Sequence, residues 1–233
     1  MDWGPAPIVG AMTVVEINVR GSHTVTLAPE RATVHATVGI EGPAPEPVFE
    51  AVAAGLAEVV RSLEESHHAK RGPVTWYAVD QVRRGSHRPW NEQGEQLPLV
   101  YSATVSIAAK FRDFDELARW VAWSATVEGL SIRYVHWALT ERRRIAVERK
   151  TRQQAVRDAR RRAQDYADAL DLGPVSVREI SDTGLGRPGG PAPLAMRAAA
   201  AAPGGDAPEF VLRPEDVEIS AHVEAGFSVA HRR

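Results

Sequence analysis

From Gln153 to Asp182 the chain reads QQAVRDARRRAQDYADALDLGPVSVREISD, with Val156, Ala159, Ala163, Tyr166, Ala167 and Leu170 recurring at spacings of three and four. That period predicts one narrow apolar stripe on a long helix running from about Glu141 to Leu170. Most stripe residues are alanine, which lets a helix axis lie close to whatever it covers. Gly173-Pro174 is expected to end the helix, the glycine tolerating left-handed geometry and the proline unable to continue. Val175 and Val177 then alternate with polar neighbours, as in a half-buried strand. In the first half of the helix Arg149 and Arg152 fall on the face of Ile145 and Val156, so this half is expected to project beyond the core or to meet another surface.

Upstream, Val14 to Arg20 reads as a short strand and Gly21-Ser22-His23 as a turn. Arg31 to Ile40 alternates cleanly, with Ala32, Val34, Ala36, Val38 and Ile40 on one face and Thr33, His35 and Thr37 on the other. Pro43, Pro45 and Pro47 suit the first turn of a helix, whose stripe is Phe49, Val52, Leu56, Val59 or Val60, and Leu63. Val74 to Arg84 is the next strand, followed by a polar connection to Leu97. Leu99 to Phe111 is a strand with Ala103, Val105, Ile107, Ala109 and Phe111 on one face. Asp113 with Glu116 predicts a capping box, opening a helix with the stripe Phe114, Leu117, Val121 and Ala125 that Gly129 stops before a strand from Leu130 to Leu139. RATVHATVGI and YSATVSIAAKF, each followed by a helix and a strand, read as two copies of one unit. The last strand places Val217, Ile219, Ala221, Val223, Ala225, Phe227 and Val229 inward.

These elements predict an α+β fold: an antiparallel sheet with helices packed on one face, two pseudo-repeated strand–helix–strand units, a long helix and C-terminal strands. Residues 14–230 are expected to form one domain, after a flexible N-terminal extension over 1–13. The Gly/Pro/Ala-rich segment 183–213 is expected to be a mobile loop.

Composition narrows the chemistry. The 233 residues carry a formal charge of −2 and no cysteine, which excludes disulfides, thiolate metal sites and cysteine catalysis. Only three of the 28 basic residues are lysine, which reads as genome composition. No apolar run is long enough for a membrane span. MDWGPAPIVGAMTVVEINVRG lacks a basic start followed by an apolar core, so no secretory signal is read and a cytoplasmic location is expected.

Candidate sites are sparse. Gly184, Gly186 and Gly189 spell G-x-G-x-x-G, but Pro188, Pro191 and Pro193 oppose the helix that a dinucleotide site needs. The eight histidines, including the adjacent His67 and His68, show no ligand spacing, so no metal is expected. Asp80 and Glu128 have no identifiable partner for acid–base work, and no catalytic residue or cofactor is assigned. The strongest feature is charge on the long helix, where Glu141 to Asp165 carries ten basic residues against four acidic ones. A solvated, salt-bridged face explains this most simply, and a phosphate-tracking or acidic-partner surface is the functional alternative. Trp76, Trp120, Trp123 and Trp137 are expected to be core or interface anchors. Trp90, in the polar connection, is the candidate exposed contact. The expected interaction surface is thus Arg142, Arg143, Ile145, Arg149, Arg152 and Trp90.

INVRGSHTVTLAPERATVHATV, with a glycine at Gly21, the pair Pro29-Glu30 and a long alternating strand, resembles the opening of bacterial SIMPL-domain proteins. The alanine-spaced helix Ala155, Ala159, Ala163, Ala167 and the Pro/Gly-rich loop before a last strand resemble the same family's C-terminal part. The resemblance implies an α+β fold and homo-oligomers, ring- or channel-like in a periplasmic immunogenic member, and it supplies no catalytic residues. The expected function is a non-enzymatic, self-assembling structural or interaction protein. The alternative is nucleic-acid or acidic-partner binding through the 142–162 helix face. Self-association is expected through sheet edges, with Val14–Val19 and Val217–Val229 as the edge strands, or through the first half of the long helix.

Overall fold

The computed structural model describes residues 12–91, 96–182 and 212–232. In chain order the elements are β1 (Met12–Leu27), β2 (Arg31–Gly42), α1 (Pro45–Ser66), β3 (Val74–Val79), β4 (Arg83–His87), β5 (Val100–Phe111), α2 (Phe114–Ser124), β6 (Leu130–Ala138), α3 (Glu141–Ala169), β7 (Ser176–Ser181) and β8 (Val217–Arg232). The α+β class with antiparallel pairing is as expected, but the strands divide between two sheets. They belong to two compact units, one of β1, α3, β7 and β8 and the other of β2 to β6 with α1 and α2. The expected extension over 1–13 and loop over 183–213 fall largely outside the described residues, as does the G-x-G-x-x-G segment.

In the first unit the sheet order is β1-β8-β7, and α3 packs on one face. The buried positions of α3 are Thr151, Ala155, Ala159, Ala163 and Ala167, a strict spacing of four. They meet Ile17 of β1 and Ala221, Val223, Ala225, Phe227 and Val229 of β8. The seam admits only small side chains, because the helix lies almost on the backbone of β1. A Cβ built on Gly21 would sit 2.1 Å from the Ala155 carbonyl oxygen and 2.7 Å from the Ala159 Cβ. Gly21 therefore lies inside a continuous strand, and the expected turn at Gly21-Ser22-His23 does not form. For the same reason Val156, Tyr166 and Leu170 leave the stripe: they are too large for the seam and stay exposed, Tyr166 at 60%.

The end of α3 also differs from expectation. Asp171, with φ 53°, takes the left-handed position assigned to Gly173. The Leu172 amide donates to the Ala167 carbonyl (2.8 Å) and the Asp171 amide to that of Asp168 (3.1 Å), the paired bonds of a Schellman ending. Val175 is buried but Val177 is exposed, on an irregular stretch of the β7–β8 ladder. β8 is the central strand of this sheet, so Val217–Val229 is not an edge; β1 and β7 are.

In the second unit the order is β3-β5-β2-β6, with β4 pairing farther along β5. The run β2-α1-β3 followed by β5-α2-β6 is the split βαβ arrangement. The two sequence copies interleave, each contributing one central and one edge strand. Ala32, Val34, Ala36 and Val38 of β2 and Ala103, Val105, Ile107, Ala109 and Phe111 of β5 face α1 and α2. α1 buries Val48, Val52, Val59 and Leu63; Phe49 is only half-buried, with the Arg84 guanidinium 3.8 Å from its ring centre. α2 buries Leu117, Trp120 and Ser124, with the expected Phe114 and Val121 partly buried against the same core, and the Trp120 indole donates to Ser62 Oγ at 3.1 Å. Asp113 caps α2 by accepting from the amides of Asp115 and Glu116, while the Glu116 carboxylate pairs with Arg119. The expected strand Val74–Arg84 breaks at Asp80, whose carboxylate accepts the Gln81 amide (2.8 Å), and resumes as β4.

Candidate interaction surfaces

No residue of the first ten of α3, Glu141 to Lys150, is buried, a stretch of about 15 Å. Within it and just beyond, Arg142, Ile145, Arg149 and Arg152 follow one another at spacings of three and four, which puts them on one side of the helix. Ile145 is 52% exposed. Arg143 lies about 100° around the helix from Arg142. Trp90 is 81% exposed and belongs to the other unit. The structure thus gathers four of the six expected surface residues into a row, with Arg143 on another side of the same helix.

Charge on α3 is partly neutralised at home. Arg144 pairs with Glu141 (2.7 Å) and with Glu148, and Arg161 and Arg162 pair with Asp158 at 2.5 and 3.0 Å. The Arg144 hydrogen bond holds the Glu141 carboxyl below its ordinary range. Arg142, Arg149 and Arg152 form no ion pair among the described residues. Asp158 is different in kind, because its side chain is only 11% exposed and accepts the Ser22 amide of β1 at 3.1 Å. That amide first, then Arg162 and Arg161, lower its pKa against the opposing effect of burial. A cleft of about 490 Å³ lies beside it, lined by Ser22, His23, Gln154, Arg157, Asp158 and Arg161.

Of the acids and histidines considered for chemistry, Asp80, His67 and His68 have structural partners. Asp80 accepts Gln81 and lies 3.5 Å from Arg83. Glu30 accepts both the amide and the hydroxyl of Thr140, at 3.0 and 2.6 Å. His67 meets the edge of Tyr77, and His68 Nδ1 accepts the amides of Lys70 and Arg71. Among the described residues no group of three or more His, Asp or Glu side chains is placed to hold a metal ion, and no helix is long and apolar enough to cross a membrane.

One surface escaped the sequence reading. The helices of the second unit cover one face of its sheet, and the other carries rings. His35 of β2 and Tyr134 of β6 are register partners and stack with centroids 4.4 Å apart. Trp76 of β3, read as an anchor, is 46% exposed, with the Lys110 ammonium 5.6 Å from its ring centre. His136 is exposed on the same strand as Tyr134. Burial, then the neighbouring His136, lower the pKa of His35. The outward alternation of β2 was visible, but not which strands would lie side by side.

A search of curated proteins returns no relative. The family model of SIMPL, described as a protein of unknown function (DUF541), matches residues 17–227. That match runs from β1 to β8 and takes in Gly21, the Glu30–Thr140 contact and the alanine seam of α3. The chain belongs to the SIMPL family.

Proposed function

We propose that this protein is a non-catalytic interaction protein that self-associates through the first half of α3. The observation that carries the reading is a helix segment of about 15 Å that contributes nothing to its own unit's core yet displays Ile145 in a row with three arginines. A helix this polar gains stability chiefly by packing, and a second copy supplies that packing. The two edge strands of the same unit, β1 and β7, offer further unpaired backbone. The lack of cysteine suits a reducing compartment such as the cytoplasm.

Light scattering on a sizing column over a concentration series tests this. A mass that is a multiple of 25.4 kDa and that falls toward one copy in Ile145→Asp is expected. One copy at every concentration overturns the reading. A second reading, polyanion binding by this face, is favoured by Arg142, Arg149 and Arg152 lacking ion-pair partners among the described residues. It requires binding that weakens steeply with salt and is lost in Arg149→Glu/Arg152→Glu.

A further inference from the structure

We infer that the open sheet face of the second unit binds single-stranded nucleic acid by stacking unpaired bases on its displayed rings. Pairing register sets which side chains are neighbours on this face. One row across the sheet runs Ala78, Ala108, His35, Tyr134, and the next runs Trp76, Lys110, Thr33, His136. The strand order separates Trp76 on β3 from Tyr134 on β6 by three inter-strand steps, about 14 Å. Ala78 and Ala108 fill the β3 and β5 positions of the first row, so a low floor lies beside His35 and Tyr134 of the same row and beside Trp76 and Lys110 of the next.

Outward positions on a solvated sheet ordinarily carry polar residues that cost nothing to expose. A stacked His–Tyr pair, an exposed tryptophan and a second histidine on one such face call for a ligand with flat faces. Charge selects among such ligands. Lys110 stands in the array and Arg133 is exposed where β6 shifts register beside His35. Of the carboxylates, Glu41 is six residues along β2 from His35, and Asp80, two residues beyond Ala78, is paired with Arg83. A protein with a formal charge of −2 therefore presents cations where its rings are. Rings with cations suit a chain of bases joined by phosphates, whereas a neutral sugar makes no use of Lys110 and Arg133. Only unpaired bases offer their faces, because a duplex hides them in its own stack. A four-stranded sheet with rings on its uncovered face is the general geometry for stacking two or three such bases. This face and the α3 row belong to different units and use different residues, so the self-association reading and this one stand or fall independently.

The test is fluorescence anisotropy with a labelled twelve-nucleotide oligo-U or oligo-dT and with a duplex of equal length, using the full chain. Binding of the single strand, tighter than the duplex and weakening as salt rises, is expected. Tyr134→Ala and Trp76→Ala should each weaken it about tenfold or more, while Tyr134→Phe, which keeps the ring, should bind like the wild type. Both alanine variants change exposed residues, and a melting curve confirms that they fold. Three results would overturn the inference: no binding of the single strand at low salt, alanine variants that bind like the wild type, or binding lost only in Arg149→Glu/Arg152→Glu. Capture of a neutral oligosaccharide, lost in the same alanine variants, would reassign the face to sugar and equally refute it.

Discussion

Replacing Gly21 by alanine should break the seam on which the first unit is built. In most strand interiors this change is mildly favourable, by about 0.5–1 kcal/mol, because glycine loses the most freedom on folding. Here the added Cβ would stand 2.1 Å from the Ala155 carbonyl oxygen, 2.6 Å from the Ala159 nitrogen and 2.7 Å from the Ala159 Cβ. Two of these three atoms belong to the helix backbone and the third is fixed to it, so no rotamer change relieves the clash. α3 must move off β1, and Ala155, Ala159 and Ala163, all essentially buried, lose their contacts together. Overpacking costs ~1–3 kcal/mol where side chains can give way, and a rigid helix places this site at about 3 kcal/mol. Hydrogen exchange followed by mass spectrometry reads the effect locally, which matters in a chain of two units where a single unfolding transition need not hold. Amides in 155–167 should exchange about 100-fold faster in Gly21→Ala, at about 1.4 kcal/mol per factor of ten. The control is Gly173→Ala, where the nearest atom to a new Cβ is Val229 Cγ2 at 4.0 Å and protection should be unchanged or slightly higher. Equal protection of α3 in Gly21→Ala and the wild type would show that the close approach of strand and helix is wrong.

Asp158→Ala should cost about 1–3 kcal/mol, because the part-buried Ser22 amide loses its acceptor. Since the Asp158 pKa is lowered in the folded state from 3.8, its contribution is fully present above that value. It starts to be lost as pH falls below 3.8 and is gone below the folded-state pKa, so the wild-type advantage in urea melts should shrink only at that acid end; an advantage that grew there would contradict the assignment. Asp171→Gly should stabilise the first unit by up to about 1 kcal/mol, since φ 53° suits glycine better than aspartate. A lower urea midpoint in that variant would mean that the Asp171 side chain holds the helix end in place.

Local pattern carried much of this protein. Alternation alone identified the buried faces of β2, β5 and β8, because a strand's two-residue period shows in any stretch with one wet side. Asp113 and the length of α3 were equally legible, since capping and helical period act within a few residues. What apolar counting could not decide was which small residues form the α3 seam. Val156, Tyr166 and Leu170 are more hydrophobic than Thr151 or Ala155, yet the approach to Gly21 selects by size, and that approach exists only once β1 and α3 meet. Gly21 itself reads as a turn until a helix is laid against it. The division into two sheets, the central place of β8 and the split at Asp80 rest on pairings between residues far apart in the chain, which no local period encodes. The ring-bearing face of the second unit has the same origin: Trp76, His35 and Tyr134 come from three strands, and it is the β3-β5-β2-β6 order that sets them on one surface.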